Sequence, residues 1–129
     1  MEKRIIEVAI PFQGQSSYSI IIQKGILQTL PDYIDPGRYA IICDSTVGSL
    51  YGGSAAEALR NTGSYADLIT IEPGEKSKTR KQKEKLEDTL FEHMHDRSSR
   101  IIALGGGVVG DIAGFTESTF MRGIGVIQV

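Results

Sequence analysis

The sequence predicts an α/β fold: a parallel sheet with helices on both faces, preceded by an N-terminal β-hairpin. Three observations carry that expectation. Short apolar runs at 39–43, 65–71 and 101–104 are each followed by a segment of helical pattern, and strands alternating with helices imply right-handed βαβ crossovers and parallel pairing. Ahead of them, Ile6, Val8 and Ile10 alternate with Glu7 and Ala9, and Tyr18, Ile20 and Ile22 alternate with Ser19 and Ile21. Two such runs across the turn-rich stretch 11–17 read as a long-looped hairpin. Finally, Gly105, Gly106 and Gly107 separate the run 101–104 from a helical pattern. Strand, glycine turn and helix make a Rossmann-like unit, which offers backbone N–H groups and a positive helix end to an anion.

The elements follow in order. Residues 25–34 read as a short helix that ends before Pro36 and Gly37. The run 39–43 stops at Asp44, and a helix is expected from about Val47 to Arg60, its start weakened by Gly48, Gly52 and Gly53. The strand 65–71 is interrupted by Asp67. Pro73 and Gly74 break the chain, and a long amphipathic helix follows, with Leu86, Leu90 and Met94 forming one buried stripe. The helix 108–120 carries its apolar residues at Val108, Ile112 and Phe115, and 124–129 begins a further strand. Ligands of such sheets bind beyond the carboxyl ends of the strands. Asp44, Glu75, the three glycines and Asp111 all follow expected strands, so they can converge on one rim.

Composition narrows the possibilities. The 129 residues suffice for one domain with a real core, and 40% hydrophobic with 23% charged residues is a soluble, globular balance. Fourteen Lys and Arg against sixteen Asp and Glu leave a net charge of −2, which gives nucleic acid no attractive field. The lone Cys43 cannot form an internal disulfide, fits a reducing compartment and reads as a small strand residue. No stretch resembles a signal peptide or reaches membrane-spanning length, so a cytoplasmic protein without a membrane partner is expected. The basic cluster Lys76, Lys78, Arg80, Lys81, Lys83 and Lys85 is mixed with Glu84, Glu87 and Asp88 and lacks aromatics, the pattern of a solvated helix face. His93 and His95 stand two apart, would face different sides of a helix and read as exposed helix-end residues. A zinc site needs three or four suitable ligands.

Each candidate site residue has two readings. A side chain at 106 or 107 would hold the backbone away from a pyrophosphate, yet a triplet outside the usual G-x-G-x-x-G spacing can be a plain tight loop. Asp44 could accept hydrogen bonds from ribose hydroxyls or cap the following helix. Glu75 could hold ribose while Lys78 meets phosphate as a point charge, or both could belong to a helix start. Asp111 reads as a first-turn carboxylate favoured by the helix dipole, or as a ligand of the same bound group. Gly110 and Gly114 share a helix face and permit close approach, with close packing the plain reading of Gly114. Arg122 reads as a helix C-terminal cation.

The run Ala-Leu-Gly-Gly-Gly-Val-Val-Gly-Asp-Ile-Ala-Gly-Phe at 103–115, then Ser-Thr-Phe-Met-Arg-Gly-Ile at 118–124, with Pro-Gly-Glu-Lys-Ser-Lys at 73–78 upstream, resembles the 3-dehydroquinate synthase family of sugar-phosphate cyclases. Two long matches in order are more specific than either glycine cluster alone. Thr116 and Glu117 replace the small residues usual there, which bears on helix packing more than on chemistry. The resemblance implies that residues 1–129 are an NAD-binding domain, with a metal- and substrate-binding domain outside this chain. It implies cofactor contacts for Asp44, Glu75, Lys76, Ser77, Lys78, Gly106, Gly107, Val108, Val109, Gly110 and Asp111. It also implies that Arg122 contacts a phosphorylated sugar-acid substrate, reaching into a neighbouring subunit of a homodimer. The implied activity is conversion of 3-deoxy-arabino-heptulosonate 7-phosphate to 3-dehydroquinate and phosphate in the shikimate pathway of aromatic amino acid biosynthesis. NAD then serves as a transient hydride acceptor, and zinc or cobalt is held by one Glu and two His beyond these residues. No catalytic residue and no metal ligand is expected here, and no turnover by this chain alone. The rival readings are a cyclase making a valiolone or an inosose, a glycerol-type polyol dehydrogenase, and a non-catalytic nucleotide-binding module. The residues after the triplet favour the dehydroquinate branch.

Overall fold

A run of five residues with no polar side chain that needs water dictates the centre of the fold. Tyr39, Ala40, Ile41, Ile42 and Cys43 of strand β3 (Arg38–Asp44) are all buried, and a strand apolar on both faces must be covered on both. A computed structural model describes residues 2–11 and 17–129. In it β3 lies between β4 (Tyr65–Ile71) and β5 (Arg100–Ala103), with β6 (Gly125–Gln128) beyond β5, and all pairs are parallel. Ala40 and Ile42 join Ile69, Ile71, Ile101 and Ala103 in one core, closed by Leu86 and Leu90 from helix α3 (Arg80–Glu92) and by Val109, Ile112 and Ala113 from α4 (Gly107–Thr119). Tyr39, Ile41 and Cys43 face the other way, against Leu30, Ala55, Ala56 and Leu59.

The helix after β3 begins two residues earlier than expected, as α1 (Ser45–Val47), a π turn (Gly48–Gly52) and α2 (Gly53–Arg60) run end to end. Its glycines cost helix propensity, about 1 kcal/mol each. Close approach explains two of them. A Cβ on Gly48 would stand 2.9 Å from Thr70 Cγ2, and one on Gly52 2.8 Å from Leu68 Cδ1. The short helix expected at 25–34 forms as a 3-10 helix (Ile26–Asp32) that accommodates Pro31 and buries Leu30.

Other expectations are corrected. Strand β4 is continuous through Asp67, whose carboxylate is taken up by histidines rather than by water. Helix α3, capped by Thr79 Oγ1 accepting from the Gln82 amide at 3.1 Å, ends at Glu92, so Met94 is no part of its buried stripe. His95 N–H donates to the Leu90 carbonyl and Met94 N–H to that of Phe91, the paired bonds that close a helix through a left-handed residue. Met94 supplies that residue at φ 61 and is 76% exposed. Along α4 the buried residues are Val109, Ile112, Ala113 and Thr116, while Val108 is half-buried and Phe115 exposed under the Lys83 ammonium. A Cβ on Gly114 would meet nothing within 4 Å, so close packing does not explain that glycine.

The hairpin forms as expected from β1 (Arg4–Ala9) and β2 (Ser17–Ile22), antiparallel with Ile6 opposite Ile20. It is a separate sheet and contributes to neither core. The connecting stretch 12–16 lies outside the described residues.

Candidate functional site

Parallel pairing places the carboxyl ends of three strands together, Asp44 level with Ile71 and Ile42 level with Ala103. After β4 the chain turns at Gly74, whose φ of 100 suits glycine, into a 3-10 turn (Glu75–Ser77). Ser77 is buried and its hydroxyl donates to the Glu72 carbonyl at 2.6 Å, so its part is to shape the turn that exposes Glu75, Lys76 and Lys78. Lys76 stands 3.5 Å from Glu72, an exposed pair of little energetic weight. Lys78 reaches Asp111 at 2.6 Å, which raises the lysine's pKa, with Glu75 adding to the effect. Two motifs distant in sequence therefore meet in one exposed ion pair.

The glycine turn stands beside that pair. Gly105, at φ 145, needs to be glycine for its backbone alone. Gly106 and Gly107 do not: neither has positive φ, and a Cβ on either would meet nothing within 4 Å. Nothing among the described residues asks for glycine there, whereas a ligand lying on the backbone would. Gly106 gives α4 no side-chain cap, and the ladder begins only with Gly110 N–H donating to the Gly106 carbonyl at 3.0 Å. The amides of Gly107, Val108 and Val109 therefore precede the ladder, at the positive end of a 13-residue helix. Val109 has a buried side chain and can offer only its amide. Gly110 leaves room for the Gln128 carboxamide, whose Oε1 lies 3.1 Å from where a Cβ would be. Sequence reasoning missed Gln128, although a polar residue at the end of an apolar strand is the signal that marks rim positions.

The structure separates the two readings of several residues. Asp44 is a cap: Oδ1 accepts from the Val47 amide at 2.8 Å. Asp111 is the fifth residue of α4, and no acidic residue occupies the first turn, so first-turn dipole stabilisation does not account for it. Arg122 is not brought to the rim. Helix α4 runs from the carboxyl to the amino end of the parallel strands, and Arg122 follows it in a 3-10 turn (Phe120–Arg122). Met121 and Arg122 have φ of 50 and 67, two successive left-handed residues that are not glycine, each costing about 1–3 kcal/mol. Arg122 is exposed and lies beyond the regular helical end that its reading as a C-terminal cation assumed.

The histidines are also near the amino end, and neither stands free at a helix end. His93 Nδ1 and His95 Nε2, the latter at 2.9 Å, share the carboxylate of Asp67, and His95 is buried. The left-handed turn at Met94 brings both rings onto one acceptor, where an unbroken helix would have parted them. Burial pushes the Asp67 pKa up, but the bonds from His95 and His93 outweigh it and hold the carboxyl below its ordinary value. Arg38 donates to the His93 carbonyl at 3.0 Å and lies 3.9 Å over the Tyr65 ring. Among the described residues no group of three or more His, Cys, Asp or Glu is arranged to hold a metal ion.

Several known proteins are similar to this chain over most of its length. The family model for the 3-dehydroquinate synthase N-terminal region matches residues 68–129. The chain is 41% identical over 120 residues to a 3-dehydroquinate synthase of Desulforamulus reducens and 46% identical over 120 residues to one of Pelotomaculum thermopropionicum, covering 90% of this chain in each case. It spans about a third of those relatives, 33% and 32% of their lengths. Among solved structures, a 2-deoxy-scyllo-inosose synthase in complex with carbaglucose-6-phosphate, NAD+ and Co2+ superimposes with a TM-score of 0.83 at 25% identity, over 96% of this chain and 35% of that one. Over most of its length the chain is thus similar to the N-terminal third of 3-dehydroquinate synthases.

Proposed function

We propose that this chain is the NAD-binding part of a 3-dehydroquinate synthase, which converts 3-deoxy-arabino-heptulosonate 7-phosphate to 3-dehydroquinate and phosphate in aromatic amino acid biosynthesis. The uncapped amino end of α4 carries the reading, with two glycines that the fold itself does not require. In this reading the pyrophosphate lies on the amides of Gly107, Val108 and Val109, and Gly106 and Gly107 allow it to come that close. Lys78 turns from Asp111 to the phosphates. Asp44 keeps Oδ1 on its helix and offers Oδ2 to a ribose, as Glu75 does. Asp111, released by Lys78, accepts from ribose or from the nicotinamide amide. The bound dinucleotide supplies a hydride acceptor and donor, while the chain's groups hold and orient it.

Arg122 serves the phosphorylated substrate in this proposal, across a homodimer. Its strained backbone supports the assignment, because left-handed non-glycine residues collect at functional sites. A guanidinium also grips phosphate or carboxylate through two parallel bonds. The described residues do not fit a zinc or cobalt ion. The dehydroquinate branch is favoured over the other cyclases by identity, 41–46% against 25% for the inosose synthase. Calorimetric titration of NAD into the chain and into Gly107→Val tests the first half. Binding by the parent and none by a normally melting variant is expected, and equal affinities would sink the assignment. In the complete enzyme, Arg122→Lys should raise KM for the heptulosonate phosphate and leave NAD affinity unchanged.

A further inference from the structure

Strand β6 ends against the glycine turn, and this places one uncharged polar side chain beside the open start of α4. Val129 N–H donates to the Ala103 carbonyl at 2.9 Å, and the Val129 carbonyl accepts from the Gly105 amide at 3.1 Å. Gln128 is thereby held level with Ala103. Side chains alternate along a strand, so Gln128 shares with Val126 the face of the sheet on which α4 packs. Its carboxamide lies over Gly110, with Oε1 3.1 Å and Nε2 3.8 Å from the position a Cβ would take. Glycine inside a helix costs about 1 kcal/mol against alanine, and Gly110 has no positive φ to require it. The room it leaves is taken by an exposed polar group, which gains no ordinary hydrogen bond from a Cα. An arrangement that weakens the helix and makes no bond in return fits a part played toward a ligand.

We propose that Gln128 is a further binding residue of the nucleotide site, donating an Nε2 N–H to the pyrophosphate. The inference rests on the nucleotide reading of the α4 start given above. Lys78 follows β4 and Gln128 ends β6, the two edge strands of the sheet, so they approach the β5–α4 turn from opposite sides. The lysine brings a charge, and the carboxamide brings two N–H donors with none. Donation to an ionised oxygen is stronger than donation between neutral groups. A carboxamide also needs no counter-ion while the site is empty, whereas Lys78 keeps Asp111 for that purpose. Gly110 is then a positioning residue: its missing side chain lets the carboxamide lie close against the first turn of α4, within reach of an anion on the amides of Gly107, Val108 and Val109.

Calorimetric titration of NAD and of ADP into the chain and its variants provides the test. Gln128→Ala should weaken both ligands about tenfold. Gln128→Glu keeps the shape but sets a carboxylate against the phosphates, and should weaken both about 100-fold. Gly110→Ala should weaken both in the parent, because its Cβ displaces the carboxamide, and should add no further loss to Gln128→Ala. Thermal melts of the Gln128 variants should stay near that of the parent, since the side chain is exposed. Unchanged affinities in both Gln128 variants, beside lost binding in Gly107→Val, would overturn this inference and leave the nucleotide reading standing. Loss for NAD with ADP unaffected would also overturn it, because the carboxamide would then serve the nicotinamide half. Equal loss from Gly110→Ala in both backgrounds would overturn the part given to Gly110. Parent-like binding by Gly107→Val would sink the nucleotide reading itself.

Discussion

Two strand-to-helix turns stand side by side on the same rim and end their helices in opposite ways. At the end of β3, Asp44 folds its own carboxylate onto the Val47 amide and closes the helix from within. At the end of β5, Gly106 has nothing to offer, and the first amides of α4 have no side-chain cap. Both turns follow buried apolar strands, so packing does not explain the difference. The comparison teaches where to seek a site: at the helix start left open beside one that is closed.

The sharpest way to break the comparison is to make the open turn resemble the closed one. Gly106 has φ −83 and ψ −166, extended backbone that Asp can adopt, with open space at its Cβ. Gly106→Asp should cap α4 and raise stability by up to about 1 kcal/mol. It should also weaken NAD about 100-fold, roughly 2.7 kcal/mol, because the chain's own carboxylate then takes the place proposed for the pyrophosphate. Calorimetry and thermal melts read the two effects separately, and a parallel fall in both would mean the turn has simply been damaged.

Asp67 is a closed group of another kind, fully committed to His93 and His95. Asp67→Asn should cost about 1–3 kcal/mol of stability, since a buried donor loses its acceptor, with NAD affinity unchanged. The acid dependence has a definite sign. Because the folded carboxyl titrates below its ordinary 3.8, its contribution is complete above that pH and is lost as pH falls through the lower folded value. Urea unfolding of parent and variant should therefore differ at pH 5 and converge below 3.8. The smallest effect belongs to Asp44: removing the cap in Asp44→Ala should cost about 1 kcal/mol, and Asp44→Ser should restore most of it. If Ser restores stability and leaves NAD binding weak, Asp44 has both a capping and a ligand-holding part.

Much of the architecture was legible in the sequence, because buried parallel strands write themselves as apolar runs and glycine turns punctuate them. The rim also followed, since strand ends are where these sheets gather their polar residues. What did not follow has physical causes at named residues. The helix-period stripe ran on to Met94 because nothing in its chemistry announces a left-handed backbone, where glycine would have. The histidines therefore read as diverging and exposed when the turn makes them converge on Asp67. Asp111 was placed one turn too early because the helix begins at the last glycine of the triplet. Gly48 and Gly52 read as weaknesses because the neighbours that crowd them, Thr70 and Leu68, lie on β4, distant in sequence. Gln128 carried a signal that went unread, a polar side chain closing an apolar strand.

The strand order carries a consequence for how this protein is made. Strand β3 holds the centre of the sheet, but one of its two neighbours, β5, leaves the ribosome 56 residues after Asp44 (100 − 44). At ordinary elongation speeds that delay is roughly 3–11 s. During it β3 can pair with β4 alone, and a flank of uncharged residues from Tyr39 to Cys43 stays open to whatever strand is nearest. Nascent chains on one crowded messenger would offer each other the same unguarded edge, so yield in the cell should depend on chaperone supply more steeply than the finished fold suggests.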